Sequence, residues 1–506
     1  MSLLNFSGLI LIPLVSSPMV YLAGRLGIHD VTLHRRSYVV RLLALLSVLA
    51  SWFPFARAAQ NFLINGVQQF QIDTIWLRVD GISLLLAGCV LLLGTLVILF
   101  SGSYMMEEVG EEKYYAMLLA MMGLMIGLVT ASDLFNLWVW FEGMAISSYL
   151  LVAFYREQSA SLEAGMKYLV QNATGSVLVL IGIAMVLAQT GTLNMAEITK
   201  AATEPEVNRM ALLGAGALFV IGFGVKVALF PLHTWLPDAH SQAPSGISAM
   251  LSGVVIEIGL IAMLRSLAVL TGFALSWGIL LMAFGALNML YGNLLALRQT
   301  RVKRLLAYSS LSHIGYILLG LGIAIYFGIE LGAQGAFFHL FNHMLMKGLS
   351  FLAVAALMYG MFLQNDSHAA LKTNDLAGAA QRYPLVAFAL SIAVLALGGM
   401  PPLAGFLSKW QIFVAGFQTR VPWVMALMLF MALNSVLSLG YYAPLVNLMY
   451  RREPSAQVLA GKPLTWTISL TLIVMTFLVI LLGFAPGLLD WLTVPAGARL
   501  LEMFGY

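Results

Sequence analysis

The sequence holds a single cysteine, Cys89, among 506 residues, and only 9% of its side chains are charged. One cysteine excludes an intrachain disulfide and any iron-sulfur cluster held by cysteines of this chain. No G-x-G-x-x-G opens a helix after a strand and no Walker lysine is present, so the chain has no loop built for a dinucleotide or a nucleotide phosphate. No histidine, cysteine or carboxylate spacing supplies a complete metal site, and no nucleic-acid partner is expected. The first apolar run lacks the basic start and cleavage site of a signal peptide and reads as a retained helix. A long polar linker is missing too, which leaves no place for a separate soluble domain. Redox chemistry or nucleotide hydrolysis, if the protein works beside either, belongs to another subunit, and whether the chain counts as part of an enzyme depends on that subunit.

What is present is apolar: 61% of the residues are hydrophobic. Apolar runs of roughly 20 residues, each able to cross about 30 Å of hydrocarbon, recur along the chain, and about fourteen of them are expected. The fold class is therefore an all-α integral membrane protein. Cations in alternate loops divide sixteen to seven, and the richer side, which includes Arg298, Arg301, Lys303, Arg304, Arg451 and Arg452, is expected in the cytoplasm with both termini outside. Lys226, Lys347 and Lys409 are the cations left over, and they fall inside the spans.

Two of the spans carry helix breakers. In "GFGVKVALFPLHTWLPDAHSQAPS" the ring of Pro231 removes a backbone donor five residues after Lys226. In "LGGMPPLAG" the run of Gly398, Gly399, Pro401 and Pro402 interrupts another span, with Lys409 seven residues beyond. Broken helices at matching positions of two halves point to inverted repeats around a site near the bilayer midplane. The single membrane domain 1–506 then divides into N-terminal helices and an outer hairpin around Asn65-Gly66 (1–112), a first five-helix repeat (113–265), an inverted second repeat (275–449) and a C-terminal helix (450–506). Unwound backbone survives at that depth only where protein or water covers it. The segment "LNMAEITKAATEPEVNRM" reads as an amphipathic surface helix between two spans.

A lysine at mid-helix costs roughly 2.5 to 3.5 kcal/mol on insertion scales, so three of them require compensation. Glu142, in "LWVWFEGMAISSYLL", is the expected partner of Lys226, and Glu257, in "SGVVIEIGL", is a further intramembrane carboxylate. His339, His343 and Lys347 follow one another at spacings of four and share one slowly turning helix face. His313, one turn from Ser309 in "RLLAYSSLSHIGY", adds another imidazole, a group that exchanges protons near neutral pH. His233, Asp238 and His240 follow the first break at its cytoplasmic edge, where they serve equally as helix caps or as a point of proton uptake.

These motifs, together with "FHLFNHMLMKGLSFL" and "GGMPPLAGFLSKWQIF", resemble the antiporter-like membrane subunits of respiratory complex I. That superfamily also holds membrane-bound hydrogenases and multisubunit Na+/H+ antiporters. The likeness runs from about Gly81 to Met449, and in length the chain is similar to chain M (chain 4 in mitochondrial naming). The resemblance implies a proton path through Glu142, Lys226, Glu257, His313, His339, His343 and Lys347 to an exit at Lys409. It also implies flavin, iron-sulfur clusters and quinone in partner subunits, none of them bound by this chain. Membrane subunits on both sides, lipids, and a peripheral redox arm at a distance would be the partners, in a bacterial or archaeal cytoplasmic membrane. One departure stands out, because the family usually places lysine or histidine where this chain has Glu257. Sodium transport, for which Glu257 with Ser248 and Ser252 is the one hint of an oxygen site, and a non-conducting spacer are the competing readings.

Overall fold

The computed structural model describes residues 3–26, 33–72, 75–106, 108–270, 272–362, 370–451 and 453–506. Arg452, one of the expected cytoplasmic cations, lies outside the described residues.

Helices α1 (Leu3–Leu26) and α2 (Leu33–Asn65) lead into a two-stranded hairpin, β1 (Gln68–Ile72) and β2 (Ile75–Val79). The bundle continues with α3 (Gly81–Tyr104), α4 (Glu111–Thr130), α5 (Leu134–Val152), α6 (Ser159–Thr190) and α7 (Arg209–Val227). It is completed by α8 (Ser245–Ala268), and then α9 (Ala274–Leu297), α10 (Val302–Phe327), α11 (Glu330–Phe362), α12 (Pro384–Gly398), α13 (Ala404–Gln418), α14 (Pro422–Arg451), α15 (Trp466–Phe484) and α16 (Asp490–Met503). Twelve helices among the described residues are long and apolar enough to cross a membrane, and the protein is an integral membrane protein. Because a bilayer offers no water to backbone groups, helices are the economical way to span it.

The hairpin forms where the sequence alternates, but its turn is not at Asn65-Gly66. Gly66, at φ 71°, ends α2 in the left-handed region before β1 begins, and the antiparallel register runs from Gln68↔Val79 to Ile72↔Ile75. The expected surface helix is a seven-residue turn, Met195–Ala201, capped by Asn194. Its sequence also holds Pro205, and the rest of the stretch up to Asn208 is not helical.

Close helix packing depends on small residues, as is common where lipid competes equally for apolar side chains. Gly278, Gly285 and Gly292 recur every seven residues on α9 and face α10. A Cβ on Gly285 would meet the Gly315 carbonyl at 2.8 Å, and one on Gly292 the Ser312 nitrogen at 2.6 Å. On α6 a Cβ at Gly175 would stand 2.6 Å from the Gly222 carbonyl of α7. These two contacts seat His313 on α10 and Lys226 on α7 against their neighbours.

Beneath the hairpin, Asp80 caps α3 by accepting from the Ser83 amide at 2.9 Å. Its carboxylate also takes Arg265 of α8 at 2.9 Å and Arg499 of α16 at 3.5 Å, tying three helix ends together.

Candidate functional site

Both expected helix breaks are present, and each is repaired by a different set of side chains. Helix α7 stops at Val227, and Ala228 turns into the left-handed region at φ 57°, three residues ahead of Pro231. The freed backbone groups find partners in two side chains. Asn288 of α9 accepts from the Phe230 amide at 2.8 Å and donates to the Ala228 carbonyl at 3.4 Å. Trp235, in the short helix Trp235–Gln242, donates its indole N–H to the Val225 carbonyl at 2.7 Å. At the second break Gly399, at φ 80°, closes α12 before Pro401 and Pro402. Here the lysine itself helps: Lys409 Nζ donates to the Leu397 carbonyl at 2.8 Å and to Ser435 Oγ at 2.9 Å, and Ser435 donates to the Gly398 carbonyl at 3.0 Å. An ammonium at a helix C-terminus also meets the negative end of its dipole. Pro231, Pro401 and Pro402 are all exposed on the surface of the chain.

Lys226 is wholly buried, and no salt bridge within 4.0 Å joins it to Glu142, although the Glu142 charge still acts on it from further away. Its ammonium donates to Tyr168 OH at 2.6 Å and Ser148 Oγ at 3.1 Å, and those two hydroxyls lie 3.0 Å apart. The Tyr168 ring stacks on Trp235 with centroids 4.0 Å apart, so the lysine's main partner leans on the residue that repairs the break. Glu142 is half-buried and sits on the outward stripe of α5 with Phe135, Val139, Ile146 and Leu150. The sequence supplied both residues but not the direction in which Glu142 faces.

The other titratable residues converge at the centre of the bundle. Glu257 and His343 are fully buried, with Nδ1 of the imidazole 2.8 Å from Oε1 of the carboxylate. The turn just before Glu257, Leu251–Val255, is a π-helical bulge, a distortion that often marks functional positions. The three imidazoles form a triangle of nearly parallel rings, His313 lying 5.2 Å from His343 and 5.3 Å from His339 by centroids and the latter two 6.5 Å apart. His313 Nδ1 and His339 Nε2 are 3.1 Å apart, and His339 Nδ1 is 2.8 Å from Ser408 Oγ. Ser408 adjoins Lys409, whose ammonium lies 4.4 Å from the centroid of the Tyr316 ring.

An imidazole with partners on both nitrogens can receive a proton on one and release it from the other. His339 has that arrangement. Among the described residues Glu257 Oε2 and His343 Nε2 have no hydrogen-bond partner, so the carboxylate and the imidazole each keep a free site for exchange. The serines expected to join Glu257 in an oxygen cage do not do so. Ser252 pairs with Ser310 at 2.6 Å, and Ser248 donates to the His240 carbonyl at 3.1 Å.

Lys347 donates to the Leu306 carbonyl at 2.8 Å and to Ser309 Oγ. Of the residues after the first break, Asp238 is half-buried and bridges Lys167 at 3.2 Å and Arg304. His233 is buried with its ring stacked on Phe230. His240 is not at the edge: it is fully buried, stacked on Phe351 at 4.9 Å, with no partner on either nitrogen. Lys303, which reads as a loop cation, turns inward and donates to the Ala243 carbonyl at 2.6 Å. Its neighbour Arg301 stays exposed and Arg304 stays half-buried, and this alternation in "RVKRLL" was the available sign. Among the described residues no direct hydrogen bond joins Lys226 to Glu257; the nearest structural link is Gly259, where a Cβ would stand 3.0 Å from Lys226 Cγ. Among the described residues no group of three or more His, Cys, Asp or Glu is placed to hold a metal ion.

A family profile described as NADH:quinone oxidoreductase/Mrp antiporter, transmembrane, matches residues 131–433, which spans both broken helices and the whole histidine cluster. The chain belongs to that family. Hydrogenase-4 component B of Escherichia coli (strain K12) is 36% identical to this antiporter-family chain over 366 residues, 67% of the chain and 51% of that protein. The chain thus spans about half the length of that relative. NADH-quinone oxidoreductase subunit N of Desulforamulus reducens is 33% identical over 396 residues, 78% of the chain and 79% of its own. A chain of the archaeal membrane-bound sulfane sulfur reductase superposes with a TM-score of 0.85 at 28% identity, covering 98% of this chain and 97% of that one. A chain of respiratory complex I from Thermus thermophilus shares the fold, with a TM-score of 0.75 at 24% identity. As an antiporter-like membrane subunit, the protein has its solved structural neighbours in multisubunit membrane complexes. These sequence relatives are an N-type subunit and a hydrogenase component.

Proposed function

We propose that the protein translocates protons as a subunit of a complex I-type membrane assembly, without redox chemistry of its own. Protons enter from the cytoplasmic side near Asp238 and Lys226. They cross the centre by way of Glu257, His343, His313 and His339, and leave past Lys409, with Lys347 biasing the charge of the histidines. The observation that carries this reading is the buried succession Glu257–His343–His313–His339–Ser408, which ends at the residue beside Lys409. Isolated ionisable groups within a bilayer are costly and are functional by default. Moving one charge against about 150 mV costs roughly 3.5 kcal/mol, so the driving energy comes from partner subunits.

In this reading residues 113–265 and 275–449 are the inverted repeats, each with its break and its lysine, the cytoplasmic membrane is the location, and both termini face outward. Partner membrane subunits cover the exposed breaks and the outward Glu142, since neither is tolerated against lipid. Flavin, iron-sulfur clusters and quinone belong to those partners and to a peripheral arm. Proton rather than sodium transport is favoured because the carboxylate that would hold sodium, Glu257, faces an imidazole instead of serine oxygens.

The test is proton uptake by vesicles containing the assembled complex, comparing the unaltered chain with Lys226→Ala and Lys409→Ala. Loss of uptake with assembly intact supports the proposal. Unchanged stoichiometry would make the chain a spacer, and transport that needs sodium would make it an antiporter subunit.

A further inference from the structure

At the N-terminus of α5, away from the histidine cluster, a pocket opens between that helix, strand β2 and the Thr192–Glu197 segment. Trp76, Phe135, Val139 and Leu193 line it, and Asp133, Asn136 and Glu197 are its polar groups. Asp133 caps α5 through one oxygen, accepting from the Asn136 amide at 2.6 Å. Its other oxygen, Oδ2, has no hydrogen-bond partner, although the residue is only 8% exposed. The side-chain Nδ2 of Asn136, a residue 9% exposed, also has none. Glu197 at the mouth accepts from the Thr192 hydroxyl at 2.5 Å and is otherwise exposed. No lysine or arginine lines the pocket, and among the described residues no cation lies within 4.0 Å of the Asp133 carboxylate.

A buried carboxylate with a free oxygen and no cation calls for a positive ligand, because a charge taken out of water without a partner is strongly unfavourable. Burial raises the Asp133 carboxyl above its usual range, more than the nearby Asn136 and Trp76 donors lower it. A free amide donor beside it suits an oxyanion. Phe135 and Val139 carry the pocket onto the exposed apolar stripe of α5, which lies against the membrane or whatever fills it. Ammonium, oxyanion and hydrocarbon in that order describe one chemical class.

We infer that this pocket holds the headgroup of an aminophospholipid from the leaflet at this end of α5. The ammonium sits on Asp133 Oδ2 with Glu197 at the mouth, the phosphate accepts from Asn136 Nδ2, and the upper acyl chain lies on Phe135 and Val139.

The experiment is native mass spectrometry of the assembled complex released from nanodiscs of phosphatidylcholine doped with phosphatidylethanolamine or phosphatidylglycerol. The unaltered chain is expected to retain one phosphatidylethanolamine, not displaced by phosphatidylglycerol or by soluble phosphoethanolamine. Asp133→Asn, which still caps the helix, and Asn136→Leu are each expected to lower that retention about tenfold. Equal retention by the variants, or equal retention of phosphatidylglycerol, overturns the inference. So does efficient cross-linking of position 136 to a partner subunit, which would mean that a protein side chain fills the pocket. A second readout leaves Asp133 and Asn136 unaltered. Phosphatidylethanolamine brominated high on its acyl chain should quench the component of fluorescence lost in Trp76→Phe, and the absence of such quenching counts against the site.

Discussion

Glu257 of α8 and His343 of α11 face each other 2.8 Å apart, both shut off from solvent, and each keeps one polar atom without a partner. The pair joins the first half of the chain to the second. The Glu257 carboxylate is complemented here by an imidazole. Glu257→Gln preserves volume and a hydrogen bond to Nδ1 but removes the exchangeable proton. Proton transport is expected to fall at least tenfold while the complex assembles, as read by vesicle acidification. Glu257→Ala strands His343 and is expected to destabilise the chain by about 1–3 kcal/mol as well, measurable as a lower melting temperature.

Lys226 donates directly to Tyr168 and feels Glu142 only at longer range, so Tyr168→Phe removes its shortest hydrogen bond and leaves the stack on Trp235 in place. Transport is expected to fall severalfold with little change in melting temperature. If Glu142→Gln lowers transport more than Tyr168→Phe does, the outward carboxylate acts on Lys226 from a partner interface and not through these hydroxyls.

Most of this architecture can be read from the residues. Apolar length marks the spans, and Pro231, Pro401 and Pro402 mark the breaks, because a missing N–H and a rigid ring leave few alternatives. The fourfold spacing of His339, His343 and Lys347 shows that they share a face. What the sequence does not fix is which way a mid-span carboxylate points. Glu142 stands among Phe135, Val139, Ile146 and Leu150 while the polar Asn136, Ser147 and Ser148 of α5 turn inward, so its outward turn is not marked by polar neighbours on its own stripe. Lys303 and His240 look like loop residues because their neighbours are charged, and only packing against Ala243 and Phe351 shows that they are inside. Of the partners that repair the breaks, Asn288 and Ser435 come from segments far off in the chain, and Trp235, close by, reads as an apolar residue.

Asn288 satisfies two backbone groups at the α7 break. Asn288→Leu leaves the Phe230 amide unpaired and is expected to cost about 1–3 kcal/mol. Thermal unfolding of the purified complex should show the loss, and Asn288→Asp, which retains the acceptor, should recover part of it.

Helices α9 and α10 approach so closely that a Cβ at Gly285 would stand 2.8 Å from the Gly315 carbonyl. Gly285→Val must push the helices apart, at an expected cost of about 1–3 kcal/mol. Because His313 rides on α10 two residues from that contact, transport should fall further than stability alone explains. A paired measurement of melting temperature and transport separates the two effects.

The most direct measurement is proton transport by the assembled complex carrying His339→Phe, with complex assembly confirmed on the same sample. Phenylalanine keeps a flat ring beside His313 but has neither of the nitrogens that now meet His313 at 3.1 Å and Ser408 at 2.8 Å. Transport reduced at least tenfold is the expected result. Full transport through an assembled His339→Phe complex would contradict the account, because protons would then cross the bilayer without using the buried histidines.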